Sequence, residues 1–271
     1  MTDTTLIADV QARHDHRNMP INKVGVKGIK HPILVAGRDT KSIASVATVD
    51  MYVDLAPTTR GTHMSRFLEV LQTFEFVDMK NFHEFIKIMT ERLNAQQGFI
   101  DMTFPFFMRK YAPMSKTPSI MDYQVSLFGE WFHGKAYTTM KVVVPVTSLC
   151  PCSKEISEYG AHNQRSHITV IAHVAPDIWF EDMIEYCEAQ ASCELYSVLK
   201  RADEKYVTEK AYNNPKFVED IVRDVASSLN QDERILNFAI ESENFESIHN
   251  HSAYAMLNKE TSLTTQDTHQ H

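Results

Sequence analysis

The chain has 271 residues, 43% of them apolar and 23% charged, and a formal net charge of −8. Such a chain can bury a core without disulfide staples, and its acidic balance argues against a general surface for nucleic acid or anionic membrane, since both rely on clustered Lys and Arg. Neither the N-terminal "MTDTTLIADVQARHDHRNMP" nor any later stretch holds an apolar run long enough for a signal peptide or a membrane span, so a soluble, cytoplasmic protein is expected.

In chain order, residues 1–33 read as a polar arm, with glycines at 25 and 28 and no sustained period. "KSIASVATVDMYVDL", from Lys41, is β-branched and roughly alternating, which predicts a strand ending at Pro57. Two helices follow. "HMSRFLEVLQTF" puts Met64, Phe67, Leu68 and Leu71 on one face, and "NFHEFIKIMTERL" does so with Phe82, Phe85, Ile86, Met89 and Leu93. Three strands are predicted next, "GFIDMTFPFFMRKY", "PSIMDYQVSLFGEWF" and "KAYTTMKVVVPVTS", with a turn at Gly134 between the last two.

A polar loop, "TSLCPCSKEISEYGAHNQRSH", interrupts the pattern at residues 147–167. Beyond it the order recurs. "RSHITVIAHV" predicts a strand and "DIWFEDMIEYCEAQASCELYSVLK" a helix; a second helix is expected from Asn214-Pro215, as N-cap and first helical residue. "RILNFAIESENF" and "HSAYAML" read as closing strands, and the last eleven residues as a disordered tail. Strands segregated from paired helices favour an α+β fold with antiparallel sheets.

Four cysteines, at 150, 152, 187 and 193, make no secreted disulfide framework in a chain this long. Cys187 and Cys193 fall in the predicted helix and read as small buried apolar side chains. Cys150 and Cys152 lie among polar turn formers, separated by a single residue. That spacing suits neither a zinc ribbon nor a thioredoxin-like pair, so any further ligands must come from elsewhere. His162, His249 of "SIHNHSAY" and Glu204 of "KRADEKYVTEK" would complete a mixed sulfur, nitrogen and oxygen set around a divalent ion. Spacing alone does not single these out: each histidine reads equally as a surface or capping residue, and Glu204 as a solvated helix-end charge.

The loop, together with "TTRGTHMSRFLEVL" and "ESIHNHSAYA", closely resembles the type IB GTP cyclohydrolase I family over about residues 10 to 258. The resemblance implies opening of the purine of GTP to give 7,8-dihydroneopterin triphosphate and formate, the first step toward folate. It implies two tandem tunnelling-fold modules of ββααββ type, assembled as a homotetramer with sites at subunit interfaces. The corresponding divisions are an arm over 1–33, a first module over 34–146, a second over 147–260 with most site residues, and a tail over 261–271.

Carried over by motif, the resemblance assigns Cys150, His162, Glu204 and His249 as metal ligands, with Cys152 the rival of Cys150. The expected ion is one divalent metal per site, zinc or manganese first, iron or magnesium also acceptable to such donors, with no organic cofactor. Glu219 of "KFVED" matches the family's substrate-anchoring glutamate, because an ionised carboxylate accepts two parallel hydrogen bonds from the N–H groups of a guanine edge. Its alternative role is an acid favoured near a helix N-terminus. Cys150, His162, Glu219 and His249 are the expected catalytic set, with His63, His167 or His251 available to move protons. Arg60, Ser65, Arg66, Lys154 and Arg165 are the candidates for the triphosphate.

Two other readings compete. A tunnelling-fold nitrile reductase would use a cysteine nucleophile and NADPH without metal, and a non-catalytic metal-binding protein would keep the ligands without turnover.

Overall fold

The structure is a computed structural model that describes residues 11, 13–38 and 41–259; the expected tail at 261–271 and the first ten residues of the expected arm lie outside the described residues. In chain order the first elements are β1 (Ile21–Val35), β2 (Ile43–Leu55), α1 (Met64–Leu71), β3 (Phe76–Val77) and α2 (Met79–Arg92). Three long strands follow, β4 (Gly98–Tyr111), β5 (Pro118–Phe132) and β6 (Lys135–Leu149). The remainder is α3 (Pro151–Ile156), β7 (Asn163–Val174), α4 (Phe180–Gln190), β8 (Cys193–Glu194), α5 (Arg201–Asn213), α6 (Val218–Leu229), β9 (Ile235–Asn244) and β10 (Ala253–Lys259). This is the mixed α+β class expected, with antiparallel pairing dominant. No helix among the described residues is long and apolar enough to cross a membrane.

The chain forms two compact units, one from Met1–Pro105 with Ser126–Thr138 and one from Phe106–Val125 with Thr139–His271. In the first unit β2 pairs antiparallel with β1 and with β4, from Thr48↔Thr103 to Val53↔Gly98. Every second residue of β2 (Ala47, Val49, Met51, Val53) is buried, as are Ile100, Met102 and Phe104 of β4, so period-2 alternation builds one apolar face. Phe67, Val70 and Leu71 of α1 and Phe82, Phe85, Ile86 and Met89 of α2 join that core. The stripe expected on α1 is partly displaced: Met64 and Leu68 are exposed and Val70 is buried instead. Between β5 and β6, His133 and Gly134 both take positive φ (48° and 75°), as a two-residue hairpin turn of the primed kind requires.

In the second unit β7 lies between β6 and β9, antiparallel to both, and β10 pairs outside β9. Its core joins Val142, Val144, Ile168, Val170 and Ile240 of the strands to Met183, Ile184 and Cys187 of α4 and Ile221, Val225 and Leu229 of α6. Lys110 and Glu188 form a buried ion pair at 2.6 Å, and the Tyr123 hydroxyl donates to the same carboxylate at 2.7 Å. Both charges are therefore desolvated together, with hydrogen bonds to spare.

Four expectations need correction. From Ile21 onward the polar arm is strand β1, and its alternation is hidden by bulges between Ile21 and Val24 and between Val26 and Ile29, with Gly28 at φ 71°. The long helix expected over 177–200 stops at Gln190, because Cys193 and Glu194 pair with Thr147 and Val146 of β6 and the Ser192 hydroxyl accepts from the Leu149 N–H. Cys193 is consequently on a strand, although it and Cys187 are both buried as expected. The charged segment that follows is a full helix, α5, and α6 starts at Val218, not at Pro215. Its N-cap is Phe217, whose N–H donates to Asp220 at 3.0 Å, while the Asn214 amide donates to the Ala191 carbonyl at 2.9 Å.

Gly129 on β5 faces α2, where an added Cβ would lie 2.2 Å from Ile86 Cδ1 and 2.8 Å from Phe82 Cε1. Gly129→Ala is expected to destabilise the protein by about 1–3 kcal/mol through overpacking. The expected readout is a lower urea midpoint with an unchanged slope.

Candidate active site

The β6–β7 ladder runs to Leu149↔Asn163, so the next residues outward, Cys150 and His162, face each other across the strand ends. The Cys150 N–H donates to the His162 carbonyl at 3.2 Å. Pro151 then starts α3 with Cys150 as N-cap, a position where proline's missing N–H costs nothing. Ser153 fastens the turn: its N–H donates to Cys150 Sγ at 3.5 Å, its hydroxyl to the Cys150 carbonyl at 3.2 Å, and the same hydroxyl accepts from the His162 N–H at 3.3 Å. Cys150 is half-buried, and Cys152, the second residue of α3, is exposed.

The His162 ring is held from one side. Its Nδ1 lies 2.9 Å from Gln164 Oε1, 3.3 Å from Ser247 Oγ and 3.9 Å from Glu246 Oε2. The His162 and Glu246 side chains are only 15% and 13% exposed. Gln164, Ser153, Glu246 and Ser247 are thus site residues that the sequence reading did not name. Gln164 had a signal, since residues two apart on a strand share a face; the other three are brought in by tertiary contact.

The remaining candidates of this unit are spread over α3, β7, α5, α6 and the β9–β10 connection. Glu204 lies in the first turn of α5 and is exposed, beside Asp203, which is buried. The Asp203 carboxylate accepts from the N–H groups of Lys200, Met114 and Ser115, each at 2.8 Å, and from the Ser115 hydroxyl at 2.6 Å. Burial alone would raise the Asp203 pKa, but these four donors outweigh it and hold the carboxyl well below the usual range. Glu219 is exposed in the first turn of α6 and has no side-chain partner among the described residues, the capping being done by Asp220. His249 is exposed and stacks on His251 with ring centroids 5.2 Å apart.

Lys154 donates to the Tyr212 carbonyl and lies 4.5 Å from the Tyr212 ring centroid, so its ammonium is tied to the end of α5. Arg165 is exposed and lines a cavity of about 320 Å³ with Thr147, Asn163, Glu194 and Tyr196. His167, two residues on, packs edge-on against Phe245 at 4.8 Å. Burial pulls its imidazole below the usual range; Glu243 opposes this and Arg165 adds to it.

The other candidates belong to the first unit. Ser65 and Arg66 are exposed in the first turn of α1, which carries no acidic residue, and Arg66 lines a cavity of about 380 Å³ with Asp54, Thr62 and His63. Arg60 is exposed just before it, with its N–H donating to the Arg13 carbonyl at 3.3 Å.

Among the described residues, no group of three or more His, Cys, Asp or Glu side chains is gathered closely enough to hold a metal ion. The donor chemistry nevertheless fits a divalent ion. One thiol and one imidazole are pinned at a single strand mouth, and the ring's Nδ1 lies against protein polar groups, which leaves Nε2 for an outside partner.

Residues 7–255 match the family described as "Type I GTP cyclohydrolase folE2". Among curated relatives, the GTP cyclohydrolase FolE2 of Nitrosococcus oceani is 57% identical over 255 residues, spanning 94% of this chain and 96% of that protein. That of Nitrosomonas eutropha is 57% identical over 256 residues, with the same coverage. Among solved structures, uricase from Arthrobacter globiformis superposes with a TM-score of 0.52 at 8% identity, covering 91% of this chain and 96% of uricase. That likeness bears on the fold alone.

Glu194, in the cavity beside Arg165, gives this unit a measurable acid response. Burial would raise its carboxyl, but hydrogen bonds from Lys210 and from the Tyr196 hydroxyl bring it down to about 2, against an ordinary value of 4.5. A carboxyl depressed in the folded state binds fewer protons there than in the unfolded chain. Its stabilisation is therefore present above the unfolded pKa and lost as pH falls through the folded one. Glu194→Gln should flatten the stability-versus-pH curve between about pH 4.5 and about 2, measured by urea unfolding at stepped pH; an unchanged slope would show that Glu194 is not charged there.

Proposed function

The chain belongs to the type I GTP cyclohydrolase folE2 family, and on that premise we infer that it opens the purine of GTP by hydrolysis, giving formate and a dihydropterin. The observation that carries this reading is the near full-length match to GTP cyclohydrolases, on a chain whose Cys150 and His162 meet at one strand mouth. The product is 7,8-dihydroneopterin triphosphate, an entry compound of folate-type pterin synthesis. The finer architecture we propose is two tandem tunnelling-fold modules in a homotetramer acting in the cytoplasm, with sites completed between subunits; the uricase likeness supports the fold.

The chemistry balances with one net water. Water adds to C8, the carbon between the two imidazole-ring nitrogens, and the ring opens as one C8–N bond breaks. A second hydrolysis releases C8 as formate. Rearrangement of the ribose and condensation with the freed amine then return one water and close the dihydropterin ring. A divalent metal, zinc or manganese before iron or magnesium, held by Cys150, His162, Glu204 and His249, would supply a water activated for attack near neutral pH.

The chain's own residues do the rest. Glu219, exposed and without a side-chain partner among the described residues, accepts two N–H bonds from the guanine edge and so positions the base. An adenine edge lacks that donor pair and would leave the carboxylate unmatched, which discriminates between the purines. A histidine protonates the departing ring nitrogen; His63, His167 and His251 are the candidates, and burial, which lowers the His167 pKa, disfavours the imidazolium such a donor needs. Arg165, with Arg60, Ser65 and Arg66 at the acid-free start of α1, bears the cationic and hydroxyl groups for the triphosphate. Lys154 has the weakest case, being already bonded to Tyr212.

Metal-reconstituted protein incubated with GTP should release formate and give a fluorescent pterin after oxidation. Cys150→Ala and His249→Ala should each cut turnover at least about 100-fold, as loss of a group that acts in the transition state does, with wild-type circular dichroism. Glu219→Ala should chiefly weaken GTP binding and its preference over ATP. Full turnover in either of the first two variants would remove that residue from the site. NADPH oxidation by metal-free protein with an alkylation-sensitive Cys150 would replace hydrolysis with nitrile reduction, and metal binding without formate release would leave only a binding protein.

A further inference from the structure

A buried polar chain runs inward from His162, and no step above uses it. Gln164 is 7% exposed and Ser148 and Ser166 are fully buried. The Gln164 amide spans two of these groups: Oε1 lies 2.9 Å from His162 Nδ1, while Nε2 donates to Ser148 Oγ at 3.1 Å. Ser148 Oγ in turn lies 2.6 Å from Ser166 Oγ across the β6–β7 ladder. Buried amides and hydroxyls are costly unless paired, so this arrangement is maintained by more than one bond.

We propose that Gln164 is a positioning residue that holds the proton of neutral His162 on Nδ1 and so presents Nε2, with its lone pair, to whatever binds at the strand mouth. Turning the amide over would place its NH₂ against Nδ1 and require that nitrogen to be an acceptor. The second group facing Nδ1 opposes that arrangement. Glu246 Oε2 is 3.9 Å from the same nitrogen, which puts a second oxygen acceptor on that side of the ring. The Ser247 hydroxyl, 3.3 Å away, serves as an acceptor equally well. With the proton on Nδ1, Gln164 Oε1 accepts it, Nε2 of the amide donates to Ser148, and every group in the chain from His162 to Ser166 has a consistent role. The ring is fixed in rotation as well as in tautomer, because Gln164 is locked at both ends. For metal binding the inference rests on the reading of His162 as a ligand; its statement about the tautomer does not.

The test uses full-length protein with ¹⁵N-labelled histidine, stripped of metal, and long-range ¹H–¹⁵N spectra assigned with His162→Ala. Wild-type His162 should show a protonated Nδ1 and a bare Nε2. Gln164→Leu removes both amide groups at similar volume and should populate the other tautomer. In a chelator-dye competition it should also bind manganese about 10–100-fold more weakly, the usual cost of losing an outer partner of a metal-bound histidine. Gln164→Glu keeps an acceptor oxygen and should restore both properties. A wild-type His162 protonated on Nε2, or a folded Gln164→Leu variant with the wild-type tautomer, overturns the proposal. If Gln164→Leu does not fold, the wild-type and Gln164→Glu spectra still decide it. Wild-type manganese affinity in His162→Ala would instead remove His162 from the ligand set, leaving the tautomer result to be judged separately.

Discussion

The site depends on the register of one antiparallel pair. β6 and β7 stay in step over eleven residue pairs, from Thr139↔His173 to Leu149↔Asn163, and only that register brings Cys150 opposite His162. A slip of one residue would turn every side chain of β7 to the other face and move the imidazole away from the thiol. Burial guards against the slip. Val142, Val144 and Val146 on β6 and Ile168 and Val170 on β7 are all fully buried, so the misregistered sheet would put apolar side chains in water and polar ones in the core. The polar residues that continue those buried faces toward the mouth, Ser148, Gln164 and Ser166, reinforce the choice, because their mutual hydrogen bonds exist in one register only.

Buried charge does a related job elsewhere in the second unit. The Asp203 carboxylate collects donors from the turn at Met114 and Ser115 and from the start of α5, which fixes where that helix begins. The Lys110–Glu188 pair joins the end of β4 to α4, with Tyr123 donating to the carboxylate and the ammonium 4.7 Å from the Tyr196 ring centroid. Removing one partner of such a pair strands the other, whereas the intact pair is near neutral in stability relative to an apolar replacement. Beyond it, β8 pairs with β6, ends α4 early and carries Glu194 into the cavity beside Arg165.

Much of the fold was legible in the sequence because burial of one sheet face writes a period of two. The long strands β4 and β5 fall where the strand-like runs predict, and β6 ends one residue beyond its run. What was not legible follows from competition. Bulges erased the period of β1, strand pairing overrode a helical pattern at Cys193, and α5 was hidden because it buries little beyond Asp203 and Ala211. At the site, the Cys150–His162 pairing follows from a register that local pattern cannot give. Gln164 was readable in principle from its spacing to His162, but its function appears only when its two bonding partners are known.

A recurring arrangement of neighbouring acids explains which carboxylates remain available for chemistry. At the start of α5 Asp203 turns inward and takes the N–H of Lys200, while Glu204 beside it faces solvent. At the start of α6 Asp220 takes the N–H of Phe217, and Glu219 beside it is exposed, with no side-chain partner among the described residues. Helix N-termini favour both acids of each pair, but only one side chain can reach back to the cap, since successive residues on a helix point about 100° apart. The shorter aspartate fits that reach at the third helical position, and the glutamate one residue away extends outward. Capping thus engages Asp203, which also binds the Met114–Ser115 turn, and Asp220, but neither Glu204 nor Glu219. An exposed carboxylate that the helix does not need is free to meet a cation or an N–H pair, and these two glutamates are the ones the motif assigns to metal and to guanine.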